Sequence, residues 1–282
     1  MVLFFEETTS RILISNTKFE VGSKPSNLLF GHSHAALTYD DEIIKDFVNF
    51  AESGEAYFYT YNKVSLLLKN NKSVKKVFIE FSNNSIDEKM NSWIWGNETM
   101  SFRLEKYAPV ISLKEKMFLL SKNPFCFIQT YSVILKSRIT KISNGVMTYD
   151  RNLGGYNPKV ERDKNNEFAE QEINFKDYEI SEANLLYLDK IINICRQYDV
   201  EIILIRSPQR KDYEYWQNEN EFKKVLNERF GDVKFLDFGN FKLDEKDYLD
   251  ASHLNIEGAR KFSKWFDSNV VNSPRTINSS DF

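Results

Sequence analysis

The chain has 282 residues and a net charge of −3, from 38 Lys and Arg against 41 Asp and Glu. An aromatic content of 15%, with only 10 Gly and 6 Pro, excludes a low-complexity or disordered chain, because such chains lack the apolar groups that form a core. The near-neutral charge argues against a nucleic-acid partner, and the two cysteines, Cys126 and Cys195, are too few for a disulfide framework or a four-cysteine zinc site.

The N-terminal sequence lacks the pattern of a secretory signal. Its apolar stretch, Val2–Phe5, is short and is followed by Glu6 and Glu7 rather than by a long apolar segment. Elsewhere in the sequence, no apolar run approaches the roughly 18 residues that a membrane span needs. We therefore expect a cytoplasmic protein without a membrane span, although an exported protein whose signal has been trimmed would have the same sequence.

Short apolar runs alternate with helical patterns in the N-terminal part of the chain. Asn27–Phe30, Phe47–Phe50 and Val74–Phe81 predict strands, because they are short, apolar and rich in β-branched or aromatic residues. Ala35–Lys45 and Tyr57–Asn70 lie between them and have the apolar spacing of helices. Strand and helix therefore alternate as far as residue 81.

The same alternation returns in the C-terminal part of the chain. Glu201–Ile205 and Val233–Phe238 predict a fourth and a fifth strand. The predicted helices here are Glu182–Tyr198 with Ser181 as its N-cap, Trp216–Phe230, and Ile256–Val270 with Asn255 as its N-cap. Apolar strands that alternate with helices predict an α/β protein with three layers, α/β/α, around a central parallel sheet of flavodoxin-like type.

The stretch between the third and fourth predicted strands, residues 86–180, is too long for a simple crossover connection. It contains helical patterns at Leu113–Leu120 and Phe127–Lys141, followed by a polar, loop-like run at Gly154–Lys176. We predict a single domain over residues 1–282, with 86–180 as an insertion that forms a lid or a substrate-binding subdomain. The polar residues 272–282 are predicted to form a flexible tail.

Small and polar residues follow the predicted strands where each strand ends. In chain order they are Gly31-His32-Ser33-His34, Ser53-Gly54, Ser82-Asn83-Asn84-Ser85, Arg206-Ser207 and, at the end of a loop after the fifth strand, Asp250-Ala251-Ser252-His253. The carboxyl ends of parallel strands meet at one edge of the sheet, which is where ligand sites of such folds lie. We therefore expect these five groups to come together there.

These groups supply the chemistry that acyl transfer needs. Ser33, at a predicted strand-to-helix turn, is the candidate nucleophile, and a serine hydroxyl needs a base to take its proton. His253 is the candidate base, and Asp250, three residues before it, would hold the tautomer of its ring. The backbone N–H groups of Ser33 and Gly54 and the side-chain amide of Asn84 are candidate donors to the oxyanion.

The blocks that contain Ser33, Gly54, Asn84 and His253 resemble those of the SGNH hydrolases, or GDSL-type esterases, whose name gives Ser, Gly, Asn and His in chain order. The resemblance covers about residues 27–84 and 201–268. Its last block is also similar to that of polysaccharide O-acetyltransferases and carbohydrate acetylesterases. The resemblance implies a serine esterase or O-acyltransferase that acts on small acyl esters, expected to be acetyl esters, of a carbohydrate or glycan, without a cofactor.

The chain departs from the family's pattern in the first and third blocks. His32 takes the place of the usual Asp before the nucleophile, and Ser82 and Ser85 replace the Gly and the final Asp of the third block. Asn83 competes with Asn84 for the oxyanion role. The candidate substrate contacts are His32, His34, Asn83 and Arg206, and Trp93, Trp95 and Trp216 are candidates for stacking on sugar rings.

Two other interpretations use the same residues. His32 and His34 have a spacing found in zinc sites, and His253 would supply the third ligand of a metal hydrolase. A carbohydrate-binding protein on the same fold, with an inactive site, is the other alternative. The sequence does not indicate an oligomeric state.

Overall fold

Five parallel strands form one sheet at the centre of the molecule, in the order β2-β1-β3-β4-β5. The strands are β1 (Asn27–Phe30), β2 (Phe47–Asn49), β3 (Lys76–Glu80), β4 (Glu201–Arg206) and β5 (Lys234–Asp237). The computed structural model describes residues 2–146, 148–149, 152–159 and 179–273. All five predicted strands are confirmed, with ends that differ by at most two residues.

Helices cover both faces of the sheet. They are α1 (Val2–Ser15), α2 (Ser33–Thr38), α3 (Tyr57–Asn70), α4 (Met90–Trp95), α5 (Asn97–Tyr107), α6 (Leu113–Lys122), α7 (Pro124–Ser143), α8 (Glu182–Gln197), α9 (Glu219–Phe230) and α10 (Ile256–Phe266). Short 3-10 helices lie at Asn83–Ile86, Glu214–Asn218 and Glu245–Asp247, and a π-helical turn, Asp267–Val271, follows α10.

The side chains of each strand alternate between two apolar layers, as the period of two along a strand requires. Leu28 and Phe30 join the layer that contains α3, α8 and α9, whereas Leu29 joins the layer that contains α2 and α10. In the neighbouring strand β3, Val77 faces the first layer and Phe78 the second. The predicted three-layer α/β/α class is therefore confirmed.

The prediction for α2 was too long. The sequence predicts a helix to Lys45, but the structure ends it at Thr38. The side-chain amide of Asn49 donates to the carbonyl oxygens of Ala35 and Tyr39, and so the last turn bonds to the end of β2 instead of continuing the helix. The sequence pattern could not show this, because Asn49 reaches α2 only through the pairing of β1 with β2.

The helices α4 to α7 of the predicted insertion pack on the main core. Buried side chains such as Ile94, Leu104, Leu119 and Tyr131 belong to the same apolar cluster as those of α3 and α8. The sequence did not predict α1, α4 or α5. In α5, packing of a few apolar residues outweighs a mainly polar sequence.

Two predictions about irregular segments fall mainly outside the described residues. Residues 160–176 of the predicted loop and 274–282 of the predicted tail are not described, and the lid function of 86–180 stays a prediction. In the described part of the chain, each helix is too short or too polar to cross a membrane.

Helix α10 begins where the backbone of the preceding segment leaves no room for a side chain. Asn255 caps the helix by accepting hydrogen bonds from the N–H groups of Glu257 and Gly258, which confirms the predicted N-cap. A Cβ atom on Gly258 would lie 2.1 Å from the carbonyl oxygen of Asp247. The glycine is therefore needed for this close approach of two backbones.

We expect Gly258→Ala to destabilise the protein by about 1–3 kcal/mol, because the backbone near Asp247 must move to make room for the methyl group. Urea unfolding measures the free energy. Gly22→Ala is the matched control, since nothing lies within 4 Å of the corresponding Cβ position. Equal stability of the two variants would contradict the steric account.

Candidate active site

Ser33 and His253 meet at the carboxyl edge of the sheet. Ser33 follows β1 and begins α2, whereas His253 lies in the loop between β5 and α10. The Oγ atom of Ser33 lies 2.7 Å from Nε2 of His253, although 220 positions separate the residues in the chain. Ser33 is partly exposed, while its neighbours His32 and His34 are buried. The predicted nucleophile and base are therefore in hydrogen-bond contact.

The carboxylate of Asp250 holds the other side of the His253 ring. Both of its oxygens lie 3.0 Å from Nδ1 of His253. Burial alone would raise the pKa of Asp250, but the hydrogen bond and charge of His253 and the hydrogen bonds from Ser252 outweigh that effect and lower the pKa to about 2. Ionised Asp250 can only accept, so Nδ1 of His253 carries the proton and donates to it, which leaves Nε2 free to accept the hydroxyl proton of Ser33.

The loop that carries Asp250 and His253 is closed by its own backbone. The Leu249 N–H donates to the carbonyl of His253 at 2.8 Å, and the Asn255 N–H donates to Asp247 at 3.0 Å. The side chain of the intervening Leu254 is fully buried in the layer that contains α2 and α10. These contacts fix the position of His253 relative to the start of α2.

The loop after β2 brings Gly54 to the same edge. The Glu52 N–H donates to the carbonyl of Gly31 at 3.0 Å, which ties this loop to the turn that precedes Ser33. Gly54 has a φ of +67°, a conformation that glycine adopts without strain. Within the described residues, neither the Gly54 nor the Ser33 N–H donates to another protein group. The two predicted backbone donors to the oxyanion are thus available.

Helix α5 holds this loop from the outside. Arg103 donates to the Glu52 carboxylate at 2.5 Å and also to the carbonyl of Ser53. Lys106 of the same helix forms an ion pair with Glu52. The guanidinium itself is buried, whereas Glu52 and Ser53 are at least partly exposed. No sequence pattern points to Arg103, because its partners lie 50 and 51 positions away in the chain.

Asn84 and Asn83 have different environments. The Oδ1 atom of Asn84 accepts a hydrogen bond from the Ser82 hydroxyl at 2.8 Å, and its Nδ2 makes no hydrogen bond within the described residues. Asn83 is completely buried, where its amide donates to Asn218 and Glu219 and its oxygen accepts from Arg206. The available amide is that of Asn84, and Asn83 has no free group for substrate.

Arg206 is also occupied by the protein itself. Its guanidinium is 1% exposed and pairs with the carboxylates of Glu219 and Asp237, besides donating to Asn83. The central carbon of the guanidinium, Cζ, lies 4.6 Å from the centre of the Trp216 ring. The expected substrate contacts by Arg206 and Asn83 therefore do not fit the structure. Sequence reasoning missed the pairing because the partners come from three separate elements.

His32 and His34 are buried beside the site. Burial lowers the pKa of His32 to about 3, with a contribution from the charge of His253. Burial also lowers the pKa of His34 well below its usual value, helped by His32 and His253. The His34 ring lies 5.1 Å from that of His253 between ring centres. Both rings are therefore neutral, and their burial leaves little surface for the predicted contact with substrate.

Glu80 lies fully buried at the end of β3. Its carboxylate accepts hydrogen bonds from the hydroxyl and the N–H of Ser207. Burial raises its pKa to about 7, although the hydrogen bonds from Ser207 and the charge of Arg206 oppose the rise. A Glu inside the apolar run of β3 is the sequence signal for this group.

The residues that could hold a metal differ from the predicted set. His32, His34 and Glu80 offer ligand atoms within 4.8 Å of one another. The Ser82 hydroxyl lies 3.4 Å from Nε2 of His32 and 3.5 Å from Nδ1 of His34, so it occupies the space between the rings. His253 contacts Ser33 and Asp250 through its two nitrogens. This arrangement does not favour the alternative of a metal held by His32, His34 and His253.

Of the three tryptophans that the sequence singles out, Trp93 contacts the site through His32. Its ring centre lies 6.4 Å from that of His32. Trp95 packs against Phe118, and Trp216 lies over Arg206. Trp93 is only partly buried, and so it is the tryptophan best placed to border a substrate.

Comparison with known proteins gives one partial match. A model of an uncharacterised protein family matches residues 153–274. The matched range contains Asp250 and His253 but begins well after Ser33. No curated protein matches the chain. The match therefore supplies no activity, and the function has to be inferred from the site itself.

We expect the buried Glu80 to make folding less favourable as pH rises. The folded pKa of about 7 lies above the ordinary 4.5, so the contribution of Glu80 to stability is full below 4.5 and is lost as pH rises through 7. Relative to Glu80→Gln, the wild-type free energy of unfolding should fall by about 2–3 kcal/mol between pH 5 and pH 8.

Urea unfolding of both proteins at several pH values measures this difference. Glu201→Gln is the control, because Glu201 is an exposed carboxylate at the opposite end of the neighbouring strand. It should show no comparable trend. A wild-type advantage over Glu80→Gln that stays constant or grows with pH would refute the assignment.

Proposed function

We propose that this chain is a serine esterase or O-acyltransferase that acts through an acyl-enzyme on Ser33. The observation that carries the proposal is the aligned set of Ser33, His253 and Asp250, with contacts of 2.7 Å and 3.0 Å. The order of donors along this set is the one that nucleophilic catalysis by serine requires. The available N–H groups of Ser33 and Gly54 and the amide of Asn84 support it as oxyanion donors.

In the first half-reaction, the Oγ atom of Ser33 attacks the carbonyl carbon of the ester while its proton passes to Nε2 of His253. The negative charge that develops on the carbonyl oxygen is stabilised by the oxyanion donors. The ester C–O bond then breaks, and His253 gives its proton to the leaving alkoxide. Asp250 remains ionised throughout and stabilises the imidazolium of His253.

In the second half-reaction, an acceptor hydroxyl attacks the acyl group on Ser33. His253 takes the acceptor's proton, the bond to Ser33 breaks, and Oγ recovers a proton from His253. Water as acceptor gives hydrolysis, whereas a sugar hydroxyl gives acyl transfer. The two outcomes share every protein group, so the proposal includes both.

The proposed substrate is an acetyl or similarly small ester of a carbohydrate. The resemblance of the last sequence block to carbohydrate acetylesterases and polysaccharide O-acetyltransferases supports this class. The half-buried Trp93 near His32 adds an aromatic surface of the kind that sugar rings contact.

We expect Ser33→Ala to lower kcat on 4-nitrophenyl acetate and on an O-acetylated oligosaccharide by at least about a thousand-fold, because the nucleophile is lost. The free energy of unfolding should change little. Ser53→Ala is the matched control, since Ser53 is exposed and lies in the neighbouring loop. Release of acetate and the mass of a trapped acyl-enzyme are the measurements.

The same experiment separates the alternatives. Full activity of Ser33→Ala together with stoichiometric zinc would support the metal hydrolase instead. Glycan binding without turnover by the wild-type protein would support the carbohydrate-binding alternative. Either result would refute the serine mechanism.

Arg103 gives a second prediction, because it fixes the loop that carries Gly54. Arg103→Lys keeps the charge but loses the two-pronged contact with Glu52 and Ser53. We expect kcat to fall about ten-fold, since one oxyanion donor is displaced, while KM changes little.

Arg229→Lys is the control for this substitution, because Arg229 pairs with Asp189 and Glu182 on the α8 and α9 side of the molecule. Steady-state kinetics and thermal unfolding should be measured for both variants. A kcat equal to that of the wild type in a stably folded Arg103→Lys would show that the loop does not need this contact.

A further inference from the structure

The Ser82 hydroxyl links the residue before the candidate nucleophile to the candidate oxyanion donor. It lies 3.4 Å from Nε2 of His32 on one side and 2.8 Å from Oδ1 of Asn84 on the other. Ser82 itself is completely buried, as is the His32 ring. The link therefore lies in a region without competing water, where each hydrogen bond fixes the direction of the next.

The tautomer of His32 follows from its backbone contact. The N–H of His34 donates to Nδ1 of His32 at 3.4 Å, which makes His32 the N-cap of α2. A backbone N–H can only donate, so Nδ1 of His32 carries no proton. The proton of the neutral ring is then on Nε2, which donates to the Ser82 hydroxyl.

The donor-to-acceptor direction of the hydrogen bonds, from His32 to Ser82, continues from Ser82 to Asn84. Because the Ser82 oxygen accepts from His32, its own proton is directed to an acceptor, and the acceptor at 2.8 Å is Oδ1 of Asn84. This bond distinguishes the two ends of the Asn84 amide, since a hydroxyl donor binds the oxygen and not the NH2 group. The NH2 group is left pointing away from Ser82, with no hydrogen-bond acceptor in the part of the chain that the structure describes.

We propose that His32 and Ser82 are positioning residues, which orient the amide of Asn84 so that its N–H donates to the oxyanion formed on substrate. The inference rests on the proposed serine mechanism and adds a role that neither residue has by contact with substrate. It also accounts for two departures from the family's pattern together, because the unexpected His32 and the unexpected Ser82 contact each other.

A purely structural role for the link makes a different prediction. If His32 and Ser82 only satisfied buried polar groups, their loss would lower stability and leave the chemistry of the folded protein unchanged. A positioning role lowers the rate of the step that forms the oxyanion, in protein that remains folded. The readout must therefore be the rate of that step and not total activity.

The reaction of Ser33 with a fluorophosphonate measures this step without knowledge of the natural substrate. The bond between Oγ and phosphorus forms, the phosphorus–fluorine bond breaks, fluoride leaves, and the hydroxyl proton passes to His253. The phosphoryl oxygen occupies the place of the oxyanion, so its donors set the rate. Intact-protein mass spectrometry follows the labelling, and 4-nitrophenyl acetate gives kcat and KM in parallel.

Two substitutions of His32 test the direction of the link. Asn matches the Nδ1 position and retains an acceptor for the His34 N–H, but it has no group at the Nε2 position. Gln places an NH2 donor near the Nε2 position and can still donate to Ser82. We expect His32→Asn and Ser82→Ala each to slow labelling and kcat about 10- to 100-fold with KM nearly unchanged, and His32→Gln to restore most of the rate.

The combination His32→Asn with Ser82→Ala should be no slower than Ser82→Ala alone, because both act through the same hydrogen bond. Asn84→Ala should be at least as slow as either, by about 100- to 1,000-fold. Ser263→Ala is the control for loss of a buried serine hydroxyl, since Ser263 bonds to Thr38 and Asp40 on α10's side of the sheet. Its labelling rate should remain that of the wild type.

Failure of the inference and failure of the proposed function give different results. Wild-type protein that is not labelled, or a Ser33→Ala variant that is labelled equally, would overturn the serine mechanism and with it the positioning role. Rapid labelling that depends on Ser33 but is unaffected by His32→Asn and Ser82→Ala would overturn the positioning role alone. The positioning role alone would also be overturned if the losses in labelling rate of His32→Asn and Ser82→Ala multiplied in the double variant.

Discussion

The carboxyl edge of the sheet buries several polar side chains, and burial obliges each of them to find a partner inside the protein. His32, Glu80 and Ser82 have almost no exposed surface, so water cannot satisfy them. Ser207 bonds to Glu80, and Ser82 contacts His32 and Asn84. The geometry of the candidate site depends on this requirement, because the same bonds that satisfy the buried groups also join the ends of β1, β3 and β4.

Much of the fold could be predicted from the sequence, because strand patterns and helix caps are local. β1 and α3 have their predicted bounds, and Ser181 accepts a hydrogen bond from the Asn184 N–H as the cap of α8. The errors occur where distant contacts decide. α2 ends early because Asn49 takes its carbonyls, and α4 and α5 form mainly because the core accepts a few of their side chains.

The candidate site divides in the same way. The carboxyl ends of parallel strands lie at one edge of the sheet. Ser33 follows the first predicted strand, and Asp250 and His253 follow the fifth, so the sequence predicts that these residues lie close together. The roles expected of Arg206 and Asn83 required knowledge of their neighbours. Both lie in one buried cluster with Glu219, which no spacing in the sequence indicates. Sequence patterns therefore predict least well the roles of residues whose partners are distant in the chain and are brought into contact by the tertiary structure.

Neutral histidines next to His253 also have an electrostatic consequence for the proposed chemistry. His253 becomes positive when it takes the proton of Ser33, and a second positive ring 5.1 Å away would oppose that step. Burial keeps His34 and His32 neutral, with the pKa of His32 near 3. The ionised Asp250 is thus the group in direct contact with His253 that carries charge, and its sign favours the imidazolium. Because His32 and His34 are neutral, neither opposes the positive charge on His253 that Asp250 stabilises.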